Sequence, residues 1–72
     1  MVAEQVMAEM VANVLSVLVA EGEQVEAGQT LVLLESMKME IPVVPEAAGR
    51  VARIGVAVGD VVQEGDLLVV LD

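Results

Sequence analysis

The sequence predicts an all-β chain folded as a flattened barrel of two quasi-symmetric halves. Three observations predict it. Val and Ile together supply 19 of the 72 residues, and β-branched side chains suit the pleated, half-buried surface of a strand. The chain also repeats itself at a spacing of 37, so that Val14–Glu35 overlays Val51–Asp72 with nine identical positions. Finally, glycine punctuates both copies at matched places, Gly22 with Gly59 and Gly28 with Gly65. Two copies are too few for a solenoid. Two half-domains related by an approximate two-fold axis account for them better.

Each half has the same local grammar. A β-rich strand runs into Gly22 (Gly59), a position that calls for positive φ, and a short acidic turn follows. Val25 (Val62) then drops one side chain inward. Gly28 (Gly65) opens a second turn, and a continuous apolar strand, Leu31–Leu34 (Leu67–Leu71), closes the unit. In the first strand Ser16 and Arg53 are equivalent and both polar. Strict alternation then places Leu15, Val17 and Val19 on the inner face, with Ala52, Ile54 and Val56 opposite, and turns Val14 and Leu18 the other way. The alternative is an amphipathic helix over Met7–Val19, which the β-branched content and the glycine punctuation disfavour. Between the halves, residues 36–48 must reverse the chain, and the predicted reversal is a hairpin tip at Met37-Lys38. Pro42 and Pro45 lack backbone donors, so the returning strand is expected at a sheet edge or to break early.

Composition narrows the function. Seventy-two residues make a single small domain, 1–72. There is no Cys and no His, which removes disulfides, thiolate chemistry, and the commonest general base and metal ligand. Without Phe, Tyr or Trp there is no platform for stacking nucleobases. Three Lys and Arg against twelve Asp and Glu give a net charge of −9, a field that repels nucleic acid and anionic membranes. The apolar fraction is 57%, yet Val11–Ala20, interrupted by Asn13 and Ser16, is far short of the roughly 20 residues a spanning helix needs. The start of the chain carries Glu4 and Glu9 and no basic residue, unlike a signal peptide. The chain reads as cytoplasmic, monomeric and not an enzyme. Its carboxylates include no Asp-x-Asp-x-Asp-Gly calcium loop, so no metal is expected.

One residue stands apart. Lys38 is the only lysine in a chain with twelve carboxylates. Two methionines flank it at a position expected to be exposed, where large apolar side chains cost solubility. It also sits at the break between the two repeats. A lysine at a turn is ordinarily a solubilising charge; these three features single this one out. A lysine amine is protonated at neutral pH and becomes a nucleophile only where a partner site desolvates or deprotonates it.

The run Glu35-Ser36-Met37-Lys38-Met39 closely resembles the attachment signature of biotinyl domains, Glu-Ala/Ser-Met-Lys-Met. The Gly-acid-x-Val-x-x-Gly phrases on either side are also similar to that family, and the likeness extends from about Val6 to Asp72. In length the chain is similar to the short stand-alone biotin/lipoyl attachment proteins of actinobacteria. Lipoyl domains share the displayed lysine but typically carry Asp before it and Ala after it; the two methionines here favour biotin.

The resemblance implies a barrel-sandwich hybrid of two antiparallel sheets with about four short strands each, and the lysine hairpin at one end. It implies a carrier: a biotin protein ligase joins biotin to Lys38, a biotin carboxylase loads it, and a carboxyltransferase unloads it to an acyl-CoA or other acceptor. It assigns Met37 and Met39 to contact with biotin or an enzyme, against packing on the hairpin base. It assigns Glu35 and Ser36 to the recognition motif, although Glu35 also aligns with the strand-end Asp72. Where relatives commonly read Ala-Pro-Met-Pro-Gly, this chain reads Ala8-Glu9-Met10-Val11-Ala12, which leaves the geometry of the first turn open. A lipoyl carrier and an unmodified interaction module of the same fold are the competing readings.

Overall fold

The structure is a computed structural model that describes residues 4–72; the expected domain start at residue 1 lies outside the described residues. Eight strands follow one another: β1 (Glu4–Met7), β2 (Ala12–Val17), β3 (Gln24–Val25), β4 (Val32–Ser36), β5 (Met39–Val43), β6 (Gly49–Ile54), β7 (Val61–Val62) and β8 (Leu67–Leu71). They form two four-stranded antiparallel sheets, ordered β1-β8-β6-β3 and β5-β4-β2-β7. Among the described residues there is no helix, hence none long and apolar enough to cross a membrane. The sheets are not closed into a continuous barrel; they pack as a flattened barrel-sandwich.

The 37-residue repeat reappears as geometry. Adding 37 carries Ala12–Val17 onto Gly49–Ile54 and Gln24–Val25 onto Val61–Val62. The sheets interchange under the same operation, and each takes two strands from each half. The halves therefore interlock. Val14 donates its N–H to the carbonyl of Asp60 at 2.8 Å, and its mate Val51 donates to Glu23 at 2.9 Å; Gly22 and Gly59 donate back to Val51 and Val14 at 2.7 and 2.9 Å. Gly22 and Gly59 have φ of +89° and +94°, a region closed to most side chains.

The turn carboxylates do more than face water. Glu23 accepts the N–H of Ala20, and Asp60 accepts that of Ala57. Gln29 and Asp66 do the same for Glu26 and Gln63. Each is a side chain folded back over its own turn, a local bond that favours the turn over a continued strand.

The core is aliphatic throughout, with Val25, Leu31, Val32, Leu68, Val69 and Leu71 fully buried. Val25 and Val62 both point inward, as the repeat predicts. One expectation is corrected. Val14 is buried at 2% exposure and its mate Val51 at 1%, whereas Leu15 is only half-buried and Ala52 is exposed. The cause is a β-bulge at the same place in both halves, between Val14 and Ser16 on β2 and between Val51 and Arg53 on β6. A bulge adds one residue to one strand and reverses the alternation. Val17, Val19, Ile54 and Val56 keep the inward face after the bulge, and Leu18 stays outward at 54% exposure.

β5 is an edge strand that carries Pro42, as the prolines predict. Pro45 occupies the two-fold mate of Ala8. Ala8 donates to Asp66 and accepts from Gly65, whereas Pro45 only accepts, from Gly28 at 3.1 Å.

The bulge is directly testable. Val51→Thr puts a hydroxyl into the core and is expected to cost about 1–3 kcal/mol. Ala52→Thr, one residue on, should change stability by no more than about 0.5 kcal/mol. Urea denaturation midpoints measure both, and an unbulged strand would reverse the order.

Candidate functional site

The site is the end of the molecule where β4 turns into β5. The two strands pair from Val32↔Val43 through Leu34↔Ile41 to Ser36↔Met39, leaving only Met37 and Lys38 in the loop. A two-residue loop needs a primed turn, whose backbone twist matches the strands; type I′ requires positive φ at both central residues. Met37 and Lys38 have φ of +53° and +65°, the two non-glycine positions in the left-handed region among the described residues. Asn-Gly is the sequence that such a turn prefers. An L-residue with a full side chain costs about 1–2 kcal/mol there. Met-Lys is therefore a poor choice for the turn alone, and strain of this kind concentrates at functional positions.

The tip is wide open. Met37 is 88% exposed, Met39 is 60% exposed, and Lys38 is exposed. The methionines do not pack onto the hairpin base, which leaves apolar thioether surface on either side of the amine. Inward neighbours anchor the hairpin: Leu34 is buried and Ile41 packs partly against the core.

Directly opposed residues in antiparallel strands share a face. Leu34 points inward, so Glu35 lies on the outer face with its partners Glu40 on β5 and Asn13 on β2. Asn13 is in turn opposite Val61 on β7. Ser36 closes the hairpin opposite Met39 and is half-buried. The pair next to the closing pair of a two-residue hairpin is the non-hydrogen-bonded kind, with Cα atoms about 4.5 Å apart. Glu35 and Glu40 thus stand side by side as like charges, an arrangement unfavourable to the strand pair.

The structure places Glu35, Ser36, Met37, Lys38 and Met39 together at this tip. Glu40 was missed in the sequence, although a tip at Met37-Lys38 pairs 35 with 40. Asn13, Met10 and Val61 come from remote segments, and no local signal places them here. The first turn, despite its missing prolines and glycine, brings Met10 and Val11 beside the hairpin: β2 starts at Ala12, and Asn13 pairs with Glu35 one residue short of Ser36. Among the described residues no group of three or more His, Cys, Asp or Glu side chains converges to hold a metal ion.

A solitary amine on a strained, exposed hairpin, carried by a two-fold sandwich of short strands, defines an attachment domain. Comparison with known proteins agrees. Residues 3–71 match the biotin/lipoyl family, described as biotin-requiring enzyme, and the chain belongs to that family. It is 59% identical over 69 residues to the biotinylated protein TB7.3 homolog of Mycobacterium leprae, covering 96% of this chain and 97% of the relative. Two solved structures share the fold. A single-chain, multi-domain long-chain acyl-CoA carboxylase matches with a TM-score of 0.87 at 37% identity, over 93% of this chain and 7% of that one. The Kluyveromyces lactis urea carboxylase matches with a TM-score of 0.90 at 33% identity, over 96% of this chain and 6% of that one. This chain thus corresponds to a small part of each carboxylase.

Replacing Met37-Lys38 by Asn-Gly should relieve the turn. The expected gain is about 1–2 kcal/mol, seen as a rise of several degrees in melting temperature for a domain of this size. An unchanged or lower melting temperature would show that the turn carries no such strain.

Proposed function

We propose that this chain is a biotin carboxyl carrier: biotin is amide-linked to Lys38, and the loaded chain takes a carboxyl group from a biotin carboxylase to a carboxyltransferase. The observation that carries the reading is the exposed Lys38 amine at the tip of a two-residue hairpin, inside Glu35-Ser36-Met37-Lys38-Met39. Family membership, the relative named a biotinylated protein, and the likeness to parts of two carboxylases support it.

Biotin, when attached, supplies a ureido nitrogen that accepts and releases a carboxyl group. The residues of this chain hold and present it. The Lys38 nitrogen attacks the acyl carbon of an activated biotin; one C–N bond forms, the bond to the activating group breaks with its electron pair, and the amine gives up a proton. The chain has no His or Cys to promote this step, so a biotin protein ligase provides both the activated acyl group and the base. Acylation removes one positive charge and takes the net charge from −9 to −10. The hairpin is the fixed post of a swinging arm. A tether on a rigid mount keeps its cargo at high effective concentration within reach of both enzyme sites. Met37 and Met39 offer adaptable apolar contacts, and Glu35 with Ser36 completes the ligase's recognition motif. The carrier works as a monomer in the cytoplasm, alongside its ligase.

The test is incubation of the purified chain with biotin protein ligase, ATP and biotin, followed by intact mass. The wild-type chain should gain one biotinyl group. Lys38→Arg should gain none, because a guanidinium is not acylated, while its melting curve is retained. A lipoyl mass on protein from its own cells, or full labelling of Lys38→Arg, would refute the reading.

A further inference from the structure

We infer that the enzyme that acylates Lys38 docks on an apolar collar wider than the attachment motif, built from Met10 and Val11 of the β1–β2 turn and Val61 of β7. The inference rests on the biotin-carrier reading and extends it to residues that no motif contains.

The register defines the collar. At this end of the second sheet one row runs across four strands: Glu40 on β5, Glu35 on β4, Asn13 on β2 and Val61 on β7. With strands about 4.8 Å apart, the row is about 14 Å wide, and Val61 stands about 10 Å across the sheet from β4. Met10 and Val11 enter the same end just before Ala12. Their exposures are 38% for Met10, 64% for Val11 and 66% for Val61, beside 88% for Met37 and 60% for Met39. Five exposed apolar side chains thus share the end of the sandwich that carries Lys38.

Area argues that the footprint of an acylating enzyme extends beyond the tip. A specific interface takes about 800 Å² from each partner. The surface of the whole chain is 4405 Å², so such a footprint is roughly a fifth of it. Three side chains at a hairpin tip cannot supply that, and an active site closed over Lys38 has to rest on what lies beside it. Charge says what the docked surface looks like. Glu9, Glu35 and Glu40 border the collar, and Glu35 faces Glu40 at a cost to the hairpin that a cationic partner would offset. The fitting partner is therefore an enzyme whose apolar pocket is rimmed by Lys or Arg.

The two-fold symmetry supplies the controls. Subtracting 37 from Val61 gives Gln24, and adding 37 to Val11 gives Ala48; both mates are exposed at the opposite end. Val11→Glu and Val61→Glu place one negative charge each in the collar. Gln24→Glu and Ala48→Glu place the same charge at the far end. In steady-state biotinylation by biotin protein ligase, the collar variants should raise KM for the carrier about tenfold with kcat retained, and the far-end variants should stay within twofold of wild type. Met10→Gln, which adds no charge, should raise KM by a smaller factor, and all melting curves are recorded alongside. Wild-type-like KM for Val11→Glu and Val61→Glu would overturn the inference. So would normal acylation combined with slowed carboxylation of the loaded variants, which would assign the collar to a later partner. Failure of wild-type chain to be acylated at all would instead strike the carrier reading itself.

Discussion

The register of β4 is the constraint on which the rest depends. This strand lies between β5 and β2, and it buries Val32 and Leu34 at 0% and 2% exposure. A slip of one residue would turn both out to water and bring Leu33 and Glu35 into the core. Burying a large aliphatic side chain contributes about 1.5–3 kcal/mol, and a buried carboxylate without a partner costs more than that. The register is therefore strongly specified, and so is the tip, because only two residues remain between Ser36 and Met39. The left-handed backbone of Met37 and Lys38 follows from pairing that the core enforces.

Much of this was legible in the chain. Glycines at Gly22, Gly28, Gly59 and Gly65 announced the turns, and all four have positive φ. The prolines announced the edge strand, and the solitary Lys38 between two methionines announced the tip. The bulges at Leu15 and Ala52 were not legible. An alternating pattern looks the same in either phase when Val14, Leu15 and Val17 are all apolar, and the residue that breaks the phase carries no mark of its own. The exchange of strands between halves was hidden for a different reason. A repeat shows that two segments fold alike, but not whether each pairs with itself or with its copy. The turn caps had a signal: an acid or amide three residues beyond Ala20, Glu26, Ala57 and Gln63 can fold back on each of those N–H groups.

The same symmetry distinguishes the two ends of the sandwich. Leu34↔Ile41, at the base of the lysine hairpin, maps onto Leu71↔Glu4. One end of the sandwich therefore holds a closed hairpin, and its mate holds the last residue of β8 and the first of β1. The proposed attachment at Lys38 gains from the closed end, where both flanking strands are anchored in the core. The apolar methionines and the opposed Glu35 and Glu40 lie at that end as well, so features that weaken a free hairpin gather where a partner can compensate for them.

Rigid presentation of Lys38 is tested most directly by 15N relaxation of the unmodified chain. The amides of Met37 and Lys38 should have order parameters near those of β4 and β5, about 0.85, with a coupling constant that reports positive φ at both residues. Values below about 0.6 at the tip, with well-ordered strands beneath it, would mean a floppy loop in place of a fixed post.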